Sequence, residues 1–506
     1  MTNKGTKERG AKKEQDVQFF QKQERIYPKR VSGRFRNLKW IIMIVTLGIY
    51  YMVPFIRWDR GPNAPDQAVL IDLQHGRAYW FWIEIWPQEI YILTGLLIFA
   101  ALLLFFVTSL FGRVWCGYFC FQTVWTDLFI WVERIVQGDR TKRKRLREGP
   151  WTWEKIRKLA ITHFIWLVIG WCTAGSFVLY FNDAPTVVRS FLELDVSPTV
   201  LIFVICLTFS TYLMAGFARE QVCTFMCPYA RFQSAMFDKD TLIITYDETR
   251  GEPRGKHKKG ESWDGRGHCI NCTACVQVCP MGIDIRDGLQ MECIACGLCV
   301  DACDEIMDKI DLPRGLIRYD TENNMERLAA QKKAAGTVRI PESDIKLAGA
   351  RQKKSLAARL RLIRPRTIYY FCVISLVGLV MLYALVARSP LSLTVLHDRN
   401  PLFVTLSSGA IRNSYDVKIL NKTHQDRTYD LSLIDLEGAE ITVKAAGDIT
   451  PSALPVAADR VGRFHILVEA PITPQAQKDI HFRLIDNESG LERVYESVFI
   501  SQRPQN

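Results

Sequence analysis

"CINCTACVQVCP" occupies residues 269–280 and "CIACGLCVDACD" residues 293–304. Each reads C-x-x-C-x-x-C-x-x-x-C. Tight C-x-x-C turns bring three thiolates to one point, and an iron–sulfur cubane takes four. Where two such runs stand side by side, the fourth thiolate of each cluster comes from the other run. That rule assigns Cys269, Cys272, Cys275 and Cys303 to one [4Fe–4S] cluster. It assigns Cys293, Cys296, Cys299 and Cys279 to a second. C-x-x-C pairs also bind structural zinc, but two complete four-cysteine copies weigh against it. Pro280 closes the first copy. Asp304 stands at the equivalent place in the second, which removes no ligand. The stretch implies electron transfer without naming donor or acceptor.

Working outward, the chain has 506 residues, a net charge of +12 and 48% hydrophobic residues. A basic balance fits nucleic acid, but the apolar residues are gathered into five runs, near 38–56, 90–112, 159–181, 197–217 and 368–387. Each is long enough to span a bilayer. The basic residues then set topology, lipid is the expected contact, and no nucleic-acid partner is expected. "RTKRKRLR" (140–147) reads as a solvated loop at anionic headgroups. The basic segment 1–37 is too long and charged for a signal n-region, so the first run is expected to be a retained anchor. Lys/Arg-rich flanks at 1–37 and 113–158, against acidic loops at 57–89 and 182–196, place the N-terminus in the cytoplasm. The four-helix membrane region 38–217 is followed by a cytoplasmic region 218–367. That region holds a two-cluster ferredoxin domain, about 260–312, and a helical linker. The fifth span, 368–387, leads to an outer domain, 388–506. Every cysteine outside the apolar runs then falls on the reducing side. In the outer domain, "YDVKILNK", "TYDLSLIDL", "RFHILVEAP" and "DIHFRLID" alternate as strands do. They predict an immunoglobulin-like β-sandwich without the antibody disulfide. "NKT" at Asn421 matches a glycosylation acceptor by pattern. The expected fold class is mixed: an α-helical membrane domain of five spans, an inserted two-cluster ferredoxin domain and a C-terminal all-β sandwich.

Two further cysteine pairs follow apolar hairpins: "RVWCGYFCFQTVW" from Arg113 and "EQVCTFMCPYARF" from Glu220. In both, an Arg (Arg113, Arg219) precedes C-x-x-x-C and a Phe-Gln (Phe121-Gln122, Phe232-Gln233) follows. This is a short internal repeat, which would set both pairs at one depth. Residues i and i+4 share a helix face, so Cys116 with Cys120, and Cys223 with Cys227, would each present two sulfurs in one direction. Four thiolates meet if the hairpins pack together. Soft thiolates select Cu(I), zinc or iron–sulfur. The plainer reading is that all four are small residues packing helix ends. Cys172, Cys206 and Cys372 are single and sit in apolar runs as core-type residues. His163 lies in the third run. The apolar runs hold no second histidine that could complete a haem pair, so it reads as a satisfied interior side chain. His268 adjoins Cys269 and would tune or shield that cluster. Trp80, Trp82, Trp86, Trp115, Trp125 and Trp131 read as an interfacial belt.

With these residues in view, the chain resembles the cytochrome c oxidase accessory protein family of the FixG/CcoG/RdxA type. The resemblance rests on "CGYFCFQTVWTDLF", "CTFMCPYARFQSAMFD", the double cluster motif, the five spans and the sandwich. It covers nearly the whole chain. It implies a multi-pass protein of the bacterial inner membrane, with a periplasmic C-terminal domain, that supports maturation of the cbb3-type oxidase through copper supply. The implied activity is reduction of Cu(II) to Cu(I). On that implication Cys116, Cys120, Cys223 and Cys227 are catalytic thiolates that hold copper. Electrons would come through the two [4Fe–4S] clusters from a cytoplasmic reductant or quinol. The implied partners are oxidase assembly factors or copper chaperones. The family tends to carry Cys-Pro in both membrane motifs. Here Pro228 follows Cys227, but Phe121 follows Cys120, which puts the local geometry of the first motif in question. Two alternatives stay open: a quinol-linked electron-transfer subunit without copper, and a non-enzymatic scaffold for oxidase assembly.

Overall fold

The structure is a computed structural model that describes residues 25–61, 64–257, 261, 263, 265–334, 363–444, 449–473 and 475–501. Most of the basic N-terminal segment and of the linker ahead of the fifth span lies outside the described residues. Among the described residues, five helices are long and apolar enough to cross a membrane: Arg34–Phe55, Pro87–Phe111, Trp153–Leu179, Pro198–Met226 and Pro365–Val386. The helix Ile90–Phe111 carries no charged residue over 22 positions. At 1.5 Å per residue it is about 33 Å long, which matches the hydrocarbon core.

The chain divides into two compact units, one from Met1–Ile44, Val107–Val168 and Tyr212–Leu362, the other from Val45–Phe106, Ile169–Thr211 and Ile363–Asn506. In the first unit, charge is buried in pairs. Arg36 donates to both carboxylate oxygens of Asp127, at 2.9 and 2.8 Å, and Lys39 Nζ lies 3.8 Å from the same group. "RTKRKRLR" is a helix, Arg140–Glu148, not the expected loop. Its Arg143 is 1% exposed and donates to Glu133 at 2.9 Å. Glu133 also takes Arg219 at 2.7 Å and Arg25 at 3.0 Å. A charge run thus reads as surface from sequence while one member turns inward to a carboxylate. The cluster domain of this unit pairs strands Ile243–Tyr246 and Ile317–Asp320 antiparallel. It packs helices Ala274–Val278 and Leu298–Lys309 together.

In the second unit, residues 57–89 are more than a loop. Strands Val69–Asp72, Arg77–Trp80 and Ile83–Ile85 form an antiparallel sheet. Arg60 pins it by donating to the carbonyls of Phe81, Gln67 and Ala68, each at 2.9 Å. Trp86 leaves the expected interfacial belt: it is buried, with the Arg77 guanidinium 3.7 Å over its ring. Trp82, by contrast, is 74% exposed.

The C-terminal domain is an immunoglobulin-like sandwich of two antiparallel sheets. One runs Glu440–Lys444, Val461–Ala470, Ile411–Asn421, Leu391–His397, with Val404–Thr405 beside Ile411–Asn421. The other runs Leu454–Val456, Arg427–Leu433, Gln477–Asp486, Glu492–Ile500. Alternation works as period two requires: Ile411, Asn413, Tyr415, Val417 and Ile419 are buried and the residues between them are not. Tyr415, Ile466, Ile480, Phe482 and Phe499 form the centre, each with no exposed surface. The glycosylation match at Asn421 is overturned. Its side chain is fully buried and Nδ2 donates to the carbonyl of Gln425 at 2.8 Å, so no glycan reaches it.

Candidate electron-transfer site

The two copies of the cluster motif fold alike. In each, the residue before the second cysteine and the residue after it adopt positive φ: Asn271 and Thr273 (both 54°), Ala295 (51°) and Gly297 (74°). L-residues rarely take this conformation, so three of them and a glycine at matching positions mark one turn built twice. Gly297 is needed for a second reason, since a Cβ there would meet the Phe35 ring at 2.6 Å. After the turns the copies diverge. Pro280 follows a helix that ends at Val278, whereas Asp304 lies within the helix Leu298–Lys309 and accepts from Gly315 N at 2.9 Å. Proline cannot continue a helix and aspartate can.

The cysteines fall into two electrostatic groups. Cys303 is buried, and its charged neighbours include Cys275, Cys272 and Cys269. Cys299 is partly buried, and it is influenced most strongly by Cys296, Cys293 and Cys279, ahead of Cys275. Burial pushes the thiols up, Cys275 to about 11 and Cys279 to about 12, because a thiolate in an apolar pocket lacks a compensating charge. Cys275, Cys279, Cys293, Cys296 and Cys299 line one cavity whose remaining wall is Met281 and isoleucines. Among the described residues no three cysteine sulfurs lie within 4.8 Å of one another. A [4Fe–4S] group fits this donor set and would supply one-electron chemistry when bound. His268, beside Cys269, is held in place: it is buried, and Nδ1 accepts from Arg250 Nε at 2.8 Å.

The membrane motifs are not regular helix faces. The helix Val114–Tyr118 stops before Cys120, and the Cys120 amide reaches back five residues to Trp115 O at 3.0 Å. The Cys227 amide does the same to Val222 O at 2.8 Å. Both cysteines then turn extended, Cys120 at φ −61°, ψ 125° and Cys227 at φ −80°, ψ 112°. The i, i+4 expectation of a shared helix face is therefore replaced by a widened turn and a break. Phe121 in place of proline leaves the backbone of the first motif matched to the second.

The motifs also reach across to each other. Gln122 donates to Met214 O at 2.9 Å and Arg219 O at 3.2 Å. Gln233, oriented to satisfy its neighbours, accepts from Arg113 Nε at 2.9 Å. Each motif's glutamine thus meets the other motif's arginine residue. Cys116 is in electrostatic reach of Cys120, Cys223 and Cys227, and Cys223 of Cys120 and Cys227.

The first motif sits on the second cluster loop. A Cβ on Gly117 would lie 2.6 Å from Ile294 O and 3.1 Å from Cys296 Cα. Tyr118 Oη donates to Cys296 O at 3.0 Å, and Tyr319 Oη donates to Ala295 O at 2.5 Å. Arg113 donates to the carbonyls of Met291 and Ala230. Sequence reading missed Gly117 and Tyr118, although both lie inside the quoted motif. Elsewhere His163 is satisfied, with Nδ1 3.0 Å from Tyr212 Oη and its ring edge-on to Trp166.

Comparison with known proteins meets this geometry at three places. A family described as "4Fe-4S dicluster domain" matches residues 218–322. One described as "4Fe-4S binding domain" matches 92–141, and "IG-like fold at C-terminal of FixG" matches 381–502. The nitrogen fixation protein FixG of Rhizobium meliloti (strain 1021) is 48% identical over 489 residues, covering 95% of this chain and 93% of that protein. The chain belongs to the FixG/RdxA family. Protein RdxB of Cereibacter sphaeroides is 50% identical, covering 85% of this chain and 87% of its own. Protein RdxA of the same organism is 45% identical, covering 88% and 89%. A solved FixG-related protein from Vibrio parahaemolyticus covers 23% of this chain and 99% of its own, at 26% identity and a TM-score of 0.20. In this family setting the chain is an iron–sulfur redox protein with five membrane-type helices and an immunoglobulin-like domain.

Proposed function

We propose that the chain is a membrane metalloreductase. Cys269, Cys272, Cys275 and Cys303 would hold one [4Fe–4S] cluster and Cys293, Cys296, Cys299 and Cys279 a second, which would supply one-electron transfer. The substrate Cu(II) is reduced at Cys116, Cys120, Cys223 and Cys227. The observation that carries this reading is the seat of residues 116–118 on Ile294–Cys296, too close at Gly117 for an added methyl group. Each Cu(II) takes one electron, and one quinol supplies two electrons and releases two protons. A one-electron cytoplasmic reductant serves equally. Thiolate sulfur favours the Cu(I) product over Cu(II). The N-terminus is cytoplasmic and the sandwich periplasmic in this reading, in the inner membrane of a bacterium. The product passes to copper chaperones or oxidase assembly factors, in support of cbb3-type oxidase maturation. The name of the FixG relative adds nitrogen fixation as a setting for the same electron delivery.

A second reading has its own support. The "4Fe-4S binding domain" match covers Cys116 and Cys120. The four membrane cysteines would then hold a third cluster. One experiment separates the readings. Iron and Cu(II) reduction are measured on purified protein with all four cysteines intact and with all four changed to Ser. Copper chemistry predicts about eight irons per chain in both proteins and loss of reduction in the variant. A third cluster predicts about twelve irons falling to about eight. Unchanged reduction in the variant removes the four cysteines from the reaction.

A further inference from the structure

Far from any cysteine in sequence, the second unit gathers Glu84, His424 and Asp459, whose donor atoms all lie within 4.8 Å of one another. Glu84 comes from the strand Ile83–Ile85, His424 from the turn after Ile411–Asn421, and Asp459 from the turn before Val461–Ala470. Glu84 is 9% exposed and Asp459 4%. One oxygen of each, Glu84 Oε1 and Asp459 Oδ1, accepts no hydrogen bond. The imidazole bridges them, Nδ1 at 2.8 Å from Asp459 Oδ2 and Nε2 at 3.5 Å from Glu84 Oε1. Two buried carboxylates with spare lone pairs are costly unless a cation or proton sits between them. Burial and the neighbouring Asp459 charge push the Glu84 carboxyl up, against the pull of His424, Arg60 and Arg77. His424 is 42% exposed at its side chain, so the group opens to solvent on that side.

We infer that Glu84, His424 and Asp459 form a binding site for a divalent transition-metal ion. One imidazole nitrogen and two carboxylates are a nitrogen–oxygen donor set. Such a set ranks divalent ions by the Irving–Williams order, with Cu(II) above Zn(II). It contrasts with the thiolate groups of the other unit, which favour Cu(I). The site rests on its own geometry. Its use as the entry point for oxidised copper rests on the metalloreductase reading.

The test uses the full chain, purified in detergent without a histidine tag and with no reductant added. One equivalent of Cu(II) is followed by electron paramagnetic resonance and by competition with a chelator of known affinity. The expected spectrum shows coupling to a single imidazole nitrogen. His424→Gln and Asp459→Asn each weaken binding at least about 10-fold, while changing Cys116, Cys120, Cys223 and Cys227 to Ser leaves it intact. Thermal melting reports whether each variant is folded. A wild-type spectrum without imidazole coupling overturns the site, whatever the variants do. Unchanged affinity in folded His424→Gln protein also overturns it. Imidazole-coupled Cu(II) in a protein that never reduces it leaves the site standing and removes only the metalloreductase reading.

Discussion

Twelve of the fifteen cysteines fall in the unit that contains both cluster motifs, while the other unit holds Cys172, Cys206 and Cys372, each single and exposed. That second unit gathers a carboxylate–imidazole group instead. The cores differ in the same way. The sandwich is closed mainly by hydrocarbon and aromatic side chains, with Ile466, Phe482, Leu484 and Phe499 showing no exposed surface, and its buried Asn413 and Asn421 are hydrogen-bonded within the domain. In the cluster domain, Cys269, Cys275 and Cys303 are core members beside Ile244, Met307 and Ile317. One unit finishes its interior by itself, and the other leaves part of its interior to sulfur that seeks metal.

The sharpest way to break this contrast is to remove iron. Chelation under denaturant-free conditions should open the cluster domain as a whole, because its cysteine-lined interior loses the cations its buried sulfurs need. The sandwich should keep its protection. Hydrogen exchange across residues 240–320 and 391–500 reads both at once. Retained protection at Cys269–Cys303 after iron loss would show that hydrocarbon contacts suffice there, and the contrast would fail.

Two substitutions of similar size probe each side. Phe482→Ala should cost the sandwich about 3–5 kcal/mol through the cavity it leaves, with iron content unchanged. Glu133→Ala should cost the other unit about 3–5 kcal/mol, because it strands the buried Arg143 and Arg219 without their carboxylate. Thermal melting in detergent, with iron measured alongside, separates the two.

These cases also show what the sequence made legible and why the rest was hidden. The spans were readable because each is a single apolar run, and the dicluster domain because its eight cysteines sit within one stretch of 35 residues, Cys269 to Cys303. The sandwich followed from alternation. Arg143 was hidden because one inward residue does not alter the character of a basic run. Glu84, His424 and Asp459 were hidden because they meet across more than three hundred residues, with no local period to announce them. The break at Cys120 was hidden because the C-x-x-x-C spacing alone also fits an unbroken helix.

A smaller, more local effect is expected at the contact between the first membrane motif and the second cluster loop. Gly117→Ala places a methyl 2.6 Å from Ile294 O, backbone that has little freedom to retreat. The first membrane motif must then lift from the cluster loop. On the proposed metalloreductase reading, Cu(II) reduction should fall at least about 10-fold, the usual scale for a small displacement at a reacting centre, while both clusters remain by iron count. Loss of iron from this variant would mean instead that Gly117 supports the fold of the loop.

The smallest effect should come from Phe121→Pro, and its smallness is informative. Cys120 already holds φ −61° and ψ 125°, the extended region that a residue before proline must occupy. Phe121 is the first residue of its helix, Phe121–Gln137, where the amide has no intrahelical acceptor and proline is favoured. The cost is one exposed ring that meets Trp125 edge-on at 6.2 Å. Against it stands a gain of about 0.4–1 kcal/mol from a stiffer unfolded chain. The two should nearly cancel, so melting temperature and, on the metalloreductase reading, Cu(II) reduction should stay close to the parent protein. A fall in reduction of 10-fold or more, with iron retained, would mean that Phe121 shapes the first motif in a way Pro228 does not shape the second. The matched turns at Cys120 and Cys227 would then be alike in backbone only.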